Sequence, residues 1–148
     1  MSERRLRAIQ RASAIYDLIA VTPFALPGVA AWEIAQLHET AVKLSIPGDF
    51  PAFSPTHLFF ANVFGIFTIT WSILRLRNTE PQYGLYDAIL RFAFASTMLL
   101  YVAAYHVTQV LLLFVAFELL WGGLQLFAYV NRRGPSRALV EAGGYDAK

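Results

Sequence analysis

Long apolar segments separated by short polar connections constrain the fold of this chain more than any other feature. Of its 148 residues, 57% are hydrophobic and only 15% are charged, whereas about 25% of the residues of ordinary soluble domains are charged. A soluble protein of this length could not hide so much apolar surface from water. A helix of about 20 apolar residues is long enough to cross a bilayer. The composition therefore predicts an integral membrane protein built of helices.

Four apolar segments predict an all-α, membrane-embedded four-helix bundle. The predicted spans cover residues 12–37, 57–76, 83–105 and 107–130. Pro23 and Pro27 fall inside the first span and predict a kink there, because proline removes a backbone donor and clashes with the preceding turn. The proline-rich stretch 38–56 predicts an ordered outer loop between the first two spans. The short connections that follow predict that consecutive spans pack as antiparallel neighbours.

The distribution of basic residues predicts the orientation of the bundle. With four spans, ten of the twelve lysines and arginines fall on one face of the membrane. These ten are Arg4, Arg5, Arg7, Arg11, Arg75, Arg77, Arg132, Arg133, Arg137 and Lys148. The excess of positive charge marks the cytoplasmic side. We therefore expect a multi-pass protein of the bacterial inner membrane with both termini cytoplasmic, comprising a transmembrane domain over 1–131 and a polar tail over 132–148.

Four charged side chains inside the predicted spans are the strongest pointers to function. They are Asp17, Asp87, Arg91 and Glu118. Each costs at least about 2.5–3.5 kcal/mol to place in the hydrocarbon core, so such residues face the bundle interior and mark functional sites. Depths estimated from the helical rise of about 1.5 Å per residue place all four in the cytoplasmic half of the bundle. We expect them to form one intrabundle polar site.

Arg91 admits two interpretations. Asp87 and Arg91 stand at positions i and i+4 and share a helix face, so the arginine can pair with this carboxylate and fix the helix in the bilayer. Alternatively, Arg91 anchors an anionic or carbonyl-bearing ligand. The sequence leaves open whether Arg91 pairs with Asp87 or with Glu118. Three acids against one base also predict that one carboxyl is neutral, unless Arg75 reaches into the bundle.

Glu118 extends this site along its own helix. Trp121 and Gln125 follow on the same face at helical spacing. The glutamate either joins two helices by hydrogen bonding or handles protons or ligand. Asn62 begins a weaker stripe with Gly65, Thr68, Ser72 and Arg75, which is typical of helix packing or of a polar cavity wall. The predicted ligand-binding set is Asp17, Asn62, Asp87, Arg91, Glu118, Trp121 and Gln125.

Metal binding and thiol chemistry receive little support from the sequence. The chain has no cysteine, which excludes thiolate ligands and disulfides. The three histidines, His38, His57 and His106, all fall at helix ends on the predicted outer side of the membrane and are the only histidine candidates for metal. Their spacing forms no metal-binding motif, so no metal site is predicted. The small net charge of +2 comes from flanking arginines and does not indicate nucleic-acid binding.

In architecture the chain resembles the DoxX-like small four-span bacterial membrane proteins. The resemblance rests on the arginine-rich start, four spans within about 130 residues, polar residues inside the bundle, and the run YGLYDAILR that contains Asp87 and Arg91. It implies an activity such as the support of quinone-linked oxidation, with a quinone or another lipophile as cofactor.

Three functional hypotheses follow. The leading one is a non-enzymatic inner-membrane protein that binds a lipophilic small molecule or a partner protein through the polar site. The alternative is a membrane isomerase or quinone-linked oxidoreductase subunit, in which Glu118 transfers a proton and Arg91 polarises an oxygen. The further alternative is a proton-coupled transporter that works as a homodimer, since four helices alone enclose little space.

Overall fold

The computed structural model describes residues 1–132, and over this range the chain folds into five helices. They are α1 (Glu3–Ala25), α2 (Val29–Lys43), α3 (Pro55–Arg77), α4 (Pro81–Tyr105) and α5 (Leu111–Val130). The described part contains no strand, only one isolated bridge between Asp49 and Val107. The all-helical prediction is therefore confirmed for these residues. The predicted polar tail lies outside them, apart from Arg132.

Three of the helices are long and apolar enough to cross a membrane. These are α3, α4 and α5. α3 and α4 cover the predicted second and third spans, and α5 begins four residues after the start of the predicted fourth span. Their outward faces carry large apolar side chains, among them Phe60, Phe67, Leu100 and Phe127, each more than half exposed. Such a surface suits hydrocarbon and not water. The structure thus has the character of a membrane-spanning protein.

The first predicted span is a broken helix and not a single kinked one. α1 ends at Ala25, α2 starts at Val29, and the two helices are bent by 104°. Pro27 forces the preceding Leu26 into extended backbone (φ −101°, ψ 117°). Gly28 then adopts φ +84°, a conformation that side-chain-bearing residues rarely take. Because Pro27 keeps Leu26 out of the helical conformation and Gly28 has a positive φ, the chain turns sharply here instead of bending gently.

The predicted outer loop over residues 38–56 is shorter in the structure, because α2 continues to Lys43 and α3 begins at Pro55. The remaining loop over residues 44–54 is ordered by pairing with the connection between α4 and α5. The Asp49 amide donates to the His106 carbonyl at 2.8 Å, and the Thr108 amide donates to the Asp49 carbonyl at 2.9 Å. Gly48 makes this approach feasible, because a Cβ there would lie 2.7 Å from Thr108 Cα. His106 ends α4 in the left-handed conformation. The loop and this connection therefore form one end of the molecule.

The opposite end gathers the start of α1, the connection between α3 and α4, and the end of α5. The Gln10 side chain donates to the Glu80 carbonyl at 2.8 Å, and the Met1 amine donates to the Asn131 carbonyl. Arg7, Arg77 and Arg132 line a shallow depression at this end.

The helices pack as two pairs, α1 with α3 and α4 with α5. In the first pair, Gly65 lets α3 approach the backbone of α1 so closely that a Cβ there would lie 2.6 Å from the Ala25 nitrogen. The two pairs meet mainly where α1 contacts α5. α3 and α4, although consecutive, are not closely packed. Of the consecutive spans predicted to be neighbours, α4 and α5 pack closely, whereas α3 and α4 meet mainly through side chains, because α1 occupies the small-residue face of α3.

Candidate functional site

Polar side chains from all four long helices meet in the centre of the bundle. The cluster, called here the ion cluster, consists of Ser13 and Asp17 on α1, Ser72 and Arg75 on α3, Asp87 and Arg91 on α4, and Glu118 and Gln125 on α5. The side chains of both arginines and of Asp87 are at least 95% buried. The Glu118 side chain is the most accessible of the charged members, at 21%.

Arg91 contacts every carboxylate of the cluster. Its Nε donates to Asp87 Oδ2 at 2.9 Å, and its Nη1 donates to Glu118 Oε2 at 3.0 Å. Its Nη2 donates to Ser13 Oγ at 2.9 Å and to Asp17 Oδ2 at 2.5 Å. The question of whether Arg91 pairs with Asp87 or with Glu118 is thereby resolved, since it pairs with both.

Arg75 also enters the cluster. Its Nη1 donates to Asp87 Oδ2 and to Ser13 Oγ, and its Nη2 donates to Asp17 Oδ2 and to Ser72 Oγ. Its side chain is 1% exposed. A basic residue near the end of a span usually extends to the membrane surface. Arg75 instead turns inward, because it pairs there with Asp17 and Asp87. The cluster therefore holds two guanidinium groups against three carboxylates, and not the single arginine from which the sequence predicted a neutral carboxyl.

Ser13 and Gln125 complete the hydrogen bonding at the centre. The Ser13 hydroxyl accepts from both arginines and from Gln125 Nε2, which lies 2.9 Å away. Gln125 Nε2 also donates to Asp87 Oδ2 at 2.7 Å, and Trp71 Nε1 donates to Asp87 Oδ1 at 2.8 Å. Sequence reasoning missed Ser13 and Trp71. The spacing of Gln10, Ser13 and Asp17 along one face of α1 is the signal that could have found Ser13.

The cluster links the two helix pairs across the bundle. Charges taken out of water lose several kcal/mol of solvation each, which only well-placed partners repay. Here the carboxylates of α1 and α4 share both guanidinium groups, so separating the pairs would leave charges unpaired in a medium of low dielectric constant. The cluster therefore makes the arrangement of the four helices specific.

A cavity of about 490 Å³ opens between α3 and α4 onto this cluster. Asp17, Asp87, Arg91 and Glu118 form its polar part. The remaining lining is aromatic and aliphatic, apart from one hydroxyl: Val21, Phe64, Phe67, Thr68, Trp71, Leu90 and Phe94. An apolar cavity with a few convergent polar groups is the usual form of a small-molecule site.

A second cavity of about 370 Å³ adjoins the first. Asp17, Val21, Phe64, Phe94 and Glu118 line both cavities. The rings of Phe64 and Phe94 meet edge to face, with centroids 5.7 Å apart. A second aromatic contact between α3 and α4 joins Trp71 and Tyr83, whose ring centroids lie 6.1 Å apart.

The structure brings together five of the seven predicted ligand-binding residues, namely Asp17, Asp87, Arg91, Glu118 and Gln125. Asn62 lies apart from them, because its side chain donates to the Phe24 carbonyl at 2.8 Å, a group freed by the break after α1. Trp121 packs against Tyr16, with ring centroids 5.8 Å apart, and lines neither cavity. For these two residues the predicted role in the site is not supported.

The histidines have local structural roles. His38 stacks on Phe50 with ring centroids 4.8 Å apart. His57 forms a capping box with Ser54 at the start of α3, and His106 terminates α4. Over residues 1–132, no three histidine, aspartate or glutamate side chains are placed to hold a metal ion together.

Comparison with protein-family models, curated proteins and solved structures found no match to this chain. The resemblance to DoxX-like proteins therefore stays a prediction from architecture, and the site must be interpreted from its own chemistry.

Proposed function

We propose that this chain is a membrane protein that binds a lipophilic small molecule in the cavity between α3 and α4, with the polar head of the ligand on the ion cluster. One observation carries the proposal: the cavity combines apolar walls with four charged residues that Arg91 joins into one group. Helix-joining polar residues need no adjacent space, whereas this cluster borders a cavity of about 490 Å³. The size suits a ligand of moderate length.

The ligand would enter sideways from the bilayer. α3 and α4 are not closely packed, so the cavity has no helix backbone closing it on that side. Phe67 and Leu90 stand at its lining and are 73% and 40% exposed. Apolar residues at the mouth favour a ligand that partitions into hydrocarbon before it binds.

The proposal includes a four-helix membrane bundle in a bacterial inner membrane, with the arginine-rich end cytoplasmic. The remaining span of this bundle is the broken helix formed by α1 and α2, which are together long and apolar enough to cross a membrane. Arg7, Arg77 and Arg132 share one end, as the positive-inside rule requires of a cytoplasmic face.

Filling the cavity tests the binding function. Thr68 lines the cavity, whereas Thr70 lies exposed on the same helix, and both hydroxyls donate to the carbonyl four residues earlier. We expect native mass spectra of the gently extracted wild-type protein to show a retained lipophile. The variant Thr68→Phe should lose it, and the matched control Thr70→Phe should keep it.

Two results would contradict the proposal. Retention of the same adduct by Thr68→Phe would place the ligand elsewhere on the protein. A wild-type protein free of any adduct, even after incubation with membrane lipid extract, would reduce the cluster to a device that joins helices.

A further inference from the structure

We infer that the ligand is a lipophilic amine, bound as its ammonium form by Asp17 and Glu118. This inference rests on the proposed binding function and names the head group that the ion cluster recognises. It follows from which hydrogen-bonding atoms of the cluster are already used, from the balance of charge, and from the aromatic lining of the cavity.

Two carboxylate oxygens of the cluster are left without donors. Asp17 accepts hydrogen bonds through Oδ2 only, and Glu118 accepts through Oε2 only. Within residues 1–132, Asp17 Oδ1 and Glu118 Oε1 receive no hydrogen bond, although the Asp17 side chain is 91% buried. Both residues line both cavities. An acceptor in such surroundings gains most from a donor supplied by a ligand.

The donors of the cluster, in contrast, are largely occupied. Arg75 makes four hydrogen bonds through its two terminal nitrogens. Its Nε has no partner within residues 1–132, but it is buried and Arg75 lines neither cavity. Arg91 makes four through all three of its nitrogens. A ligand that only accepts hydrogen bonds, such as a carboxylate or a carbonyl, would meet few free donors and two free carboxylate oxygens. The site therefore selects a head group that donates.

The balance of formal charge favours a cation over a neutral donor. Three carboxylates, of Asp17, Asp87 and Glu118, face two guanidinium groups, of Arg75 and Arg91. With every group ionised the cluster lacks one positive charge. An uncompensated charge in low dielectric is costly, and an ammonium group on the ligand supplies the missing cation.

The cavity walls suit an ammonium group with an apolar chain. Phe64, Phe67, Trp71 and Phe94 line the cavity. Aromatic rings attract cations through their quadrupoles, and this attraction is stronger where water is excluded. The same rings give an alkyl or aryl chain an apolar surface on which to pack.

The test compares three probes of equal chain length that differ only in head group. Dodecylamine, dodecanol and dodecanoate would be offered singly to the full-length protein in non-ionic detergent at neutral pH, and bound probe would be counted by native mass spectrometry. The amine is protonated under these conditions. We expect the wild type to retain the amine at least about tenfold more tightly than the alcohol or the carboxylate.

The variant Glu118→Gln tests whether a carboxylate of the cluster makes this choice. It should lose the preference for the amine over the alcohol while still binding the alcohol. Glu39→Gln is the matched control, because Glu39 is an exposed glutamate paired with Lys43 on α2, and it should keep the preference. If Glu118→Gln binds neither probe because it fails to fold, the order in which the wild-type protein retains the three probes is then the test of the inference.

The outcomes separate the two proposals. Equal retention of the three probes, or preference for the carboxylate or the alcohol, overturns the inference about the amine but leaves a lipophile-binding site. Retention that is no greater in the wild type than in Thr68→Phe overturns the binding function itself.

Discussion

At the scale of single residues, Arg75 shows how strongly tertiary contacts determine where a charged side chain lies. Its place in the last turn of α3 gives it the sequence context of a membrane-surface arginine, yet its side chain is 1% exposed and bonds to Asp17 and Asp87. The neighbouring Arg77 ends the same helix and is exposed. Two arginines only two residues apart in sequence thus differ completely in environment, one buried in the ion cluster and the other exposed.

Replacing Arg75 should therefore destabilise the protein strongly. Arg75→Ala leaves Asp17 and Asp87 with one guanidinium between them, and breaking a buried ion pair costs about 3–5 kcal/mol. Arg77→Ala removes an exposed charge and should change the free energy of unfolding by less than about 0.5 kcal/mol. Thermal unfolding of both variants in the same detergent measures the difference. Equal unfolding temperatures would show that the cluster does not hold the helices together.

At the scale of secondary-structure elements, the pairing of helices depends on where small residues lie. Gly65 brings the backbones of α3 and α1 into direct contact. A Cβ added at Gly123 on α5, in contrast, would have no neighbouring atom within 4 Å. Close helix approach through small residues is a common basis of packing in membranes, where lipid provides no hydrophobic drive between helices.

These two glycines give a matched test of the α1–α3 pair. Gly65→Ala places a methyl group 2.6 Å from the Ala25 nitrogen, so the helices must separate, at a cost of about 1–3 kcal/mol. Gly123→Ala meets no neighbour and gains up to about 1 kcal/mol of helix propensity. Unfolding temperatures in detergent should therefore shift in opposite directions. A Gly65→Ala variant as stable as wild type would mean that α1 does not approach α3 at this point.

At the scale of the whole molecule, the arrangement in the membrane can be mapped because the natural sequence has no cysteine. Thr40 lies exposed on α2, and Asn78 lies exposed in the connection between α3 and α4. We expect a membrane-impermeant thiol reagent to label Thr40→Cys in intact spheroplasts. It should label Asn78→Cys only after the membrane is permeabilised.

The labelling pattern separates the crossing of α3 from the orientation of the bundle. Labelling of both variants from the same side would show that α3 does not cross the membrane. Reversed labelling would leave the spans in place but put the arginine-rich end outside.

Much of the helical structure could be predicted from sequence because it depends on local chemistry. Apolar length predicted the helices later found as α3, α4 and α5. The i, i+4 spacing of Asp87 and Arg91 predicted their contact, since one turn of helix brings such residues together. The meeting of Asp17, Arg91 and Glu118 was also predicted, because an isolated charge in hydrocarbon is costly and is stabilised by a partner of opposite charge.

What only the tertiary structure decided depends on which helix faces meet. The inward turn of Arg75, the use of Asn62 at the broken end of α1, and the gap between α3 and α4 each require knowing the rotation and distance of a neighbouring helix. Successive residues differ by about 100° around a helix, so small changes in packing move a side chain from lipid to interior. The sequence alone determined that this chain forms apolar helices carrying charges that must be paired, because both follow from composition and local spacing. Which charges pair, and that a cavity remains beside them, was decided by the packing of distant segments.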